Sequence, residues 1–276
     1  MPGPVKTEAV VLRSMRYGEA DRILHVYTPH RGRLSAIAKG VRRARSRFGG
    51  RLEPFFRLHL ELHEGRSEIL TVTGASTVEG YPRLREDARA LDAAARACDA
   101  VGRLFETPEP HPAVFNLLCR RLSLLDAPPR HARRTPDDLS TVAEGPSVPR
   151  GASEPSTALG AAGDPSGRAA ALQFRLKLLH AAGLAPQLGA CACCGEHEHL
   201  VGFSGAAGGV VCGACEAASF PLGEHAHSFM TEALGRSLAE TPDASEQALG
   251  QAERALSETL EHHAHVRLMP AVARAR

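Results

Sequence analysis

The chain has no tryptophan, and aromatic residues make up only 4% of its 276 positions. No apolar run is long enough to cross a bilayer, and the first residues lack the apolar core of a secretion signal. Both absences argue against a helical membrane span and a secretion signal, and the expectation is a cytosolic protein. Three catalytic signatures are missing: G-x-S-x-G, the Walker A loop, and G-x-G-x-x-G after a strand. Their absence argues against a serine-hydrolase elbow, a P-loop phosphate cradle and a dinucleotide fold. No internal repeat is present, which excludes a solenoid. The cysteine count is odd, at seven, so a closed set of disulfides is not the natural reading. A reducing cytosol and metal ligation are.

Four of the seven cysteines form two C-x-x-C pairs. Cys191-Ala192-Cys193-Cys194 is separated by seventeen residues from Cys212-Gly213-Ala214-Cys215. This is the spacing of a zinc ribbon, in which two tight turns aim four thiolates at one point. Gly195 and Gly213 are placed to supply the positive φ that such turns need. Cys191, Cys194, Cys212 and Cys215 are the expected ligands of one structural Zn2+, because a closed four-sulfur shell leaves no position for a reactive water. Cys193 reads as a bystander, although Cys193, His197 and His199 lie close enough to exchange for the fourth ligand. Cys98 and Cys119 fall in helical stretches and read as small buried hydrophobes.

The net charge of +2 conceals an asymmetry. Residues 1–80 carry fourteen Lys and Arg against eight Asp and Glu. Between Arg31 and Arg57 there are nine basic residues and one acid, Glu53. Such a one-sided run points to an anionic partner. Arg33, Lys39, Arg42, Arg43, Arg45, Arg47 and Arg51 are the candidate phosphate contacts, since guanidinium forks pair with phosphate oxygens. With no base-reading element in the run, sequence preference should be weak. Phe48 has two readings, a base-stacking residue or a core residue.

Residues 1–80 read as β, with five short strands suggesting a closed barrel. The segment 56–63 has strict period two. Glu8–Leu12, 22–27, 32–40 and 68–78 supply the other strands, and 64–66 supplies a hairpin turn. From residue 81 the period becomes helical. Ala88, Leu91, Ala95, Cys98, Val101 and Phe105 mark the first helix and 112–125 the second, with Pro112 in its first turn. Residues 128–167 are rich in Pro, Gly, Ser and Ala and read as a disordered insert; its Arg130, Arg133 and Arg134 have two readings, nucleic-acid contacts or, by default, a solvated linker, and the pair Asp137-Asp138 reads as solvated. A helix at 169–180 has apolar residues on two sides, Leu172, Leu176 and Leu179 against Phe174, Leu178 and Ala181, so it belongs inside a bundle. The ribbon spans about 188–220, and further helices are expected at 226–240 and 244–266. The fold class is α+β: an N-terminal five-stranded OB-fold barrel (1–80), then a helical domain (81–276) carrying a four-cysteine zinc ribbon.

Three stretches carry a resemblance: Glu8–Leu12, then Tyr17-Gly18-Glu19-Ala20-Asp21-Arg22-Ile23, then Gly32 through Arg43, continued by Leu52-Glu53-Pro54-Phe55. Together they resemble the N-terminal OB-fold of the RecO family of bacterial recombination mediators. Leu176 through Leu188, followed by the two C-x-x-C pairs, resembles that family's zinc-bearing branch. The resemblance implies a DNA repair protein that is not an enzyme. It implies binding to single- and double-stranded DNA, annealing of complementary strands, association with RecR, contact with the acidic C-terminal tail of the single-strand-binding protein SSB, and, indirectly, loading of RecA recombinase. By the same resemblance the tail site belongs to the helical domain, with Arg175 and Lys177 as candidates. The expected location is the bacterial cytoplasm, at the nucleoid. The long insert and the short Arg/Ala-rich C-terminus depart from the family pattern.

Two rivals stand beside this reading. A zinc-dependent deaminase needs H-x-E beside an open metal position, which His197-Glu198-His199 does not supply. An OB-fold and zinc-ribbon RNA-binding factor of transcription or translation shares every feature of the charge pattern.

Overall fold

The computed structural model describes residues 4–128, 164 and 167–273, apart from 44, 45, 47, 49, 66 and 216–218. Arg45, Arg47, the insert with its Arg130, Arg133 and Arg134, and Asp137-Asp138 lie outside the described residues. The protein is of mixed α+β class, a five-stranded barrel followed by helices that carry a small sheet.

The strands are β1 (Pro4–Tyr17), β2 (Asp21–Thr28), β3 (Gly32–Ala38), β4 (Arg57–His63) and β5 (Leu70–Glu79). They close in the order β1-β2-β3-β5-β4. Closure hides the edges that an open five-stranded sheet would expose. The alternation in β4 is as expected, with Leu58, Leu60 and Leu62 buried and His59, Glu61 and His63 exposed. Leu34, Ala36 and Ala38 of β3 also point inward. The first strand is far longer than Glu8–Leu12, because it serves two neighbours. Its first half pairs with β4, from Pro4↔His63 to Val10↔Arg57, and its second half with β2, from Val10↔Tyr27 to Tyr17↔Asp21. A bulge between Val11 and Arg13 bends it between the two partners. The β3–β5 pairing that closes the barrel is brief, limited to Ala36↔Leu70 and Ile37↔Thr71.

Ala9 to Leu12 are all buried, and their alternation explains why. Ala9 and Val11 face the barrel interior, whereas Val10 and Leu12 join Tyr27 in a second core against the helices. Helix α1 (Ala88–Leu104) begins at Asp87, whose carboxylate accepts from Arg89 N. Of the expected buried set, Cys98, Val101 and Phe105 are buried and Ala88, Leu91 and Ala95 are not. Ala90, Ala93, Ala94, Ala97 and Ala100, with Cys98 and Val101, pack inward, while Ala88 and Ala95 are exposed and Leu91 is 38% exposed. With alanine on most sides of the helix, apolar spacing alone did not single out the packed face, and the alanines that are buried allow close helix approach. Helix α2 (Pro112–Asp126) does place Pro112 at its start. Cys98 and Cys119 are buried in the α1–α2 core, and burial pushes the Cys119 thiol up to about 11.

Helix α3 (Arg168–Ala181) joins both helical cores. Phe174 and Leu178 belong to the α1–α2 cluster, and Leu172, Leu176 and Leu179 to the second. The second cluster is completed by α4 (Glu224–Gly235), α5 (Glu246–His263) and the sheet of β6 (Leu200–Ser204), β7 (Gly209–Cys212) and β8 (Phe220–Pro221). The last two helices are shorter than their expected spans, and Ser245 caps α5 by accepting from Ala248 N at 3.2 Å. No helix among the described residues is long and apolar enough to cross a membrane.

Candidate nucleic-acid face and metal centre

The first C-x-x-C turn follows Gln187, which bridges in parallel to Gly209 along the edge of β7. Gln187 N donates to Gly208 O and Val210 N donates to Gln187 O, both at 2.9 Å. A side chain at Gly209 would collide with the Gln187 backbone, so glycine is required there. The turn itself closes by Gly195 N to Cys191 O at 2.9 Å, with Gly195 at φ +80. The second turn closes by Cys215 N to Cys212 O at 3.0 Å. Gly213 is not among the positive-φ glycines, so the expectation of two left-handed turns holds only for the first. The second turn closes without a left-handed residue at Gly213, and its sulfurs still converge.

The sulfurs of Cys191, Cys194, Cys212 and Cys215 all lie within 4.8 Å of one another. Cys194 and Cys212 stand 3.7 Å apart, far beyond a disulfide. Four thiolates about 2.3 Å from a central ion in a tetrahedron would be separated by roughly 3.8 Å. The spacing therefore fits a metal ion of zinc's size. Cys193 is exposed and outside the cluster. His197 is outside it too, with Nδ1 3.0 Å from Gly189 O. The cluster's own electrostatics are uneven. Backbone N–H groups of Cys212 and Cys194 hold the Cys191 thiol down to about 6, while hydrogen bonding to the Cys194 and Cys212 sulfurs pushes Cys215 up to about 12. Sulfurs this close influence one another's ionisation, and a divalent cation among them favours the thiolate form of all four. The ribbon is pinned at two further points. His227 of α4 meets Leu188 O at 2.7 Å, and His263 of α5 meets Gly205 O at 2.8 Å. Both histidines are thus structural clamps.

At one end of the barrel the β1–β2 turn and the start of the β3–β4 segment are tied together. Gly40 N donates to Asp21 Oδ1 at 2.8 Å, Arg42 N to Ala20 O at 3.0 Å, and Arg42 Nη1 to Glu19 O at 3.0 Å. These bonds hold the exposed Lys39, Arg42 and Arg43 beside the hairpin tip. Arg51 is also exposed, past Phe48, whose carbonyl accepts from its N–H at 3.3 Å. Phe48 itself is 2% exposed and packs with Leu52 in the barrel core, so of its two readings the structural one holds. Burying that ring stabilises the loop base by about 1.5–3 kcal/mol, which anchors an otherwise polar segment. The one acid of the run, Glu53, is paired with Arg22 at 2.8 Å. Arg33 differs from the rest of the set. Its Nη1 donates to Gly102 O at 2.8 Å and lies 3.5 Å from Glu106, so its head group is held at the joint with α1.

Two basic residues outside the expected run share this region. Arg13 and Arg16 of β1 are both exposed. Arg13 lies opposite His25, which lies opposite Ser35. Burial, followed by the charges of Arg33 and Arg13, lowers the pKa of His25, whose Nδ1 is 3.1 Å from Ser35 Oγ. Charge density along the chain does not reveal Arg13 and Arg16, because strand pairing adds charge across it. In the helical body, Arg175 is buried, bonded to Met269 O and 3.7 Å from Glu253, and Lys177 donates to Leu234 O at 2.9 Å. Both are committed to internal partners, which disfavours them as contacts for an acidic peptide.

The profile of Recombination protein O N terminal matches residues 1–81, the barrel, and that of Recombination protein O C terminal matches residues 157–269, the third helix, ribbon and last helices. The chain belongs to the recombination protein O family. A DNA repair protein RecO from Anaeromyxobacter dehalogenans is 35% identical to this RecO-family chain over 273 residues, covering 96% of it and 93% of the relative. A DNA repair protein RecO from Bifidobacterium adolescentis is 37% identical over 212 residues, covering 75% and 72% of the two chains. One from Rubrobacter xylanophilus is 34% identical over 218 residues, covering 78% and 73%. Residues 82–156, between the two matched segments, include α1 and α2. The alignment with the Anaeromyxobacter relative runs over nearly the whole chain.

Proposed function

We propose that this RecO-family DNA repair protein is a recombination mediator. It binds single- and double-stranded DNA through phosphates, anneals complementary strands, and with RecR helps load RecA onto single strands coated by SSB. Lys39, Arg42, Arg43, Arg45, Arg47 and Arg51 grip the backbone, with Arg33 contributing charge from the barrel joint. Phosphate contacts leave base edges free to pair, which is what annealing requires. The acidic SSB tail is the proposed partner of the helical body. One Zn2+ held by Cys191, Cys194, Cys212 and Cys215 supports the fold and performs no chemistry, and the protein acts by binding and not as an enzyme. It works in the bacterial cytoplasm, at the nucleoid.

The observation that carries this reading is the tie between Arg42 and the Glu19-Ala20 turn, which holds a basic cluster at one open end of the barrel. OB-folds take oligonucleotides on the face flanked by this turn. The test is annealing of complementary oligonucleotides coated with SSB, with and without the protein, at two salt concentrations. Acceleration that weakens with salt supports the mediator. Intact DNA binding without acceleration sinks it and favours an RNA-binding factor of transcription or translation.

A further inference from the structure

Twelve aromatic residues, nine Phe and three Tyr, are all within the described residues. Only one of them is a large exposed side chain, Tyr17, at 54%. It sits at the last position of β1, paired with Asp21 across the turn Gly18-Glu19-Ala20. Gly18 has φ +55, which a side chain there would strain, so the turn geometry that presents Tyr17 is built in. Exposure of a single ring is ordinary by itself; what distinguishes Tyr17 is where it stands.

Arg42 reaches back to the same turn through Glu19 O and Ala20 O, which brings Lys39, Arg42 and Arg43 alongside. Alternation along β1 puts Met15 and Arg13 on the same side as Tyr17. Met15 pairs with Ile23, and Ile23 with Ile37, and all three are half-buried. The result is a short apolar row that begins at an aromatic ring and is bordered by cations. A polynucleotide strand fits such a strip when its bases are free to lie flat and its phosphates meet the arginines. A duplex has its bases stacked and offers only phosphates.

We infer that Tyr17 stacks on an unpaired base and gives this face its preference for single strands over duplex. The inference rests on the barrel being the nucleic-acid-binding part. Phe48, the aromatic within the basic run itself, cannot serve, because it is packed in the core.

The experiment compares wild type, Tyr17→Ala and Tyr17→Phe by fluorescence anisotropy. The probes are a labelled poly-dT oligonucleotide, the same length of abasic strand, and a duplex, all at one salt concentration. Tyr17→Ala should bind poly-dT more weakly by between about 5-fold and about 150-fold, the range for removal of one base–aromatic stack. Its duplex affinity should not change, and Tyr17→Phe should match wild type. On the abasic strand, Tyr17→Ala and wild type should bind alike. A second readout is direct. With no tryptophan, and with Tyr27 and Tyr81 buried, tyrosine emission on poly-dT addition reports Tyr17, and quenching is expected in wild type and not in Tyr17→Ala. Equal losses on poly-dT and duplex, or no loss on either, overturn the inference while leaving the mediator reading standing. Wild type that binds none of the DNA probes overturns that reading, and the inference falls with it.

Discussion

The guanidinium of Arg33, on β3, donates to the carbonyl of Gly102, near the end of α1, at 2.8 Å. Two neighbouring contacts also join barrel to helices. Tyr27 meets Phe105 edge-on at 6.2 Å, and Gly32, at φ +54, lies against the Glu109 backbone so closely that a Cβ would overlap it. Replacing Arg33 with Ala should therefore act first on stability. A loss of about 1–2 kcal/mol is expected for a partly exposed charge-assisted bond. Urea unfolding measures it, and an unaltered midpoint with a large fall in DNA affinity would return Arg33 to the phosphate-gripping set.

Gly32→Ala tests the same joint by another route. Its left-handed backbone and the Glu109 contact both oppose a side chain, so the expected cost is several kcal/mol, on the order of 3. Thermal unfolding at neutral pH is the measurement, and a melting temperature within a degree or two of wild type refutes the close approach.

Replacing Arg42, Arg43, Arg45 and Arg47 together with Ala should weaken binding to all DNA sequences alike. The slope of log K against log salt should flatten by about 0.7 to 0.9 for each phosphate no longer neutralised. Retained affinity with an unchanged slope would mean that the basic segment is only solvated surface.

Cys212→Ser should lower bound zinc and reduce stability, because three thiolates no longer close the shell. Cys193→Ser should leave metal content alone, as its thiol is outside the cluster. Elemental analysis of the purified proteins separates the two, and zinc lost equally from both would put Cys193 in the shell.

Alkaline pH should destabilise the fold. The Tyr27 phenol, fully buried and with no partner for its hydroxyl among the described residues, is kept protonated by burial, and the Cys119 thiol is raised to about 11 by the same cause. Both are acids whose folded pKa lies above the unfolded one. Their contribution is complete below the unfolded values, roughly 8.5 for Cys and 10 for Tyr, and is lost as pH rises past them. Tyr27→Phe should be at least as stable as wild type at pH 8 and should lose less on going to about pH 10.5, past the ordinary phenol value. Parallel declines in melting temperature for the two proteins would contradict this.

Period and spacing made much of the molecule readable. The alternation of Leu58, Leu60 and Leu62 needs only the geometry of one strand, and the two apolar sides of α3 need only that of one helix. The C-x-x-C pairs named the four sulfurs because turn closure is local. What chain order could not convey was contact between distant segments. Leu91 is exposed and alanines are buried on α1 because neighbouring helices, not local period, choose the packed face. Phe48 goes inward because the barrel interior is there to receive it. Arg33, Arg175 and Lys177 look free in sequence and are bound in space, since backbone carbonyls of other elements accept from them. Tyr17 stands next to a turn that the basic segment reaches only because Arg42 folds back onto Glu19 and Ala20. Sequence determined the elements, the sign of the charge and the four clustered sulfurs, which depend on near neighbours. Tertiary structure decided which charges and rings remain available to a partner, because availability depends on what the rest of the chain has already covered.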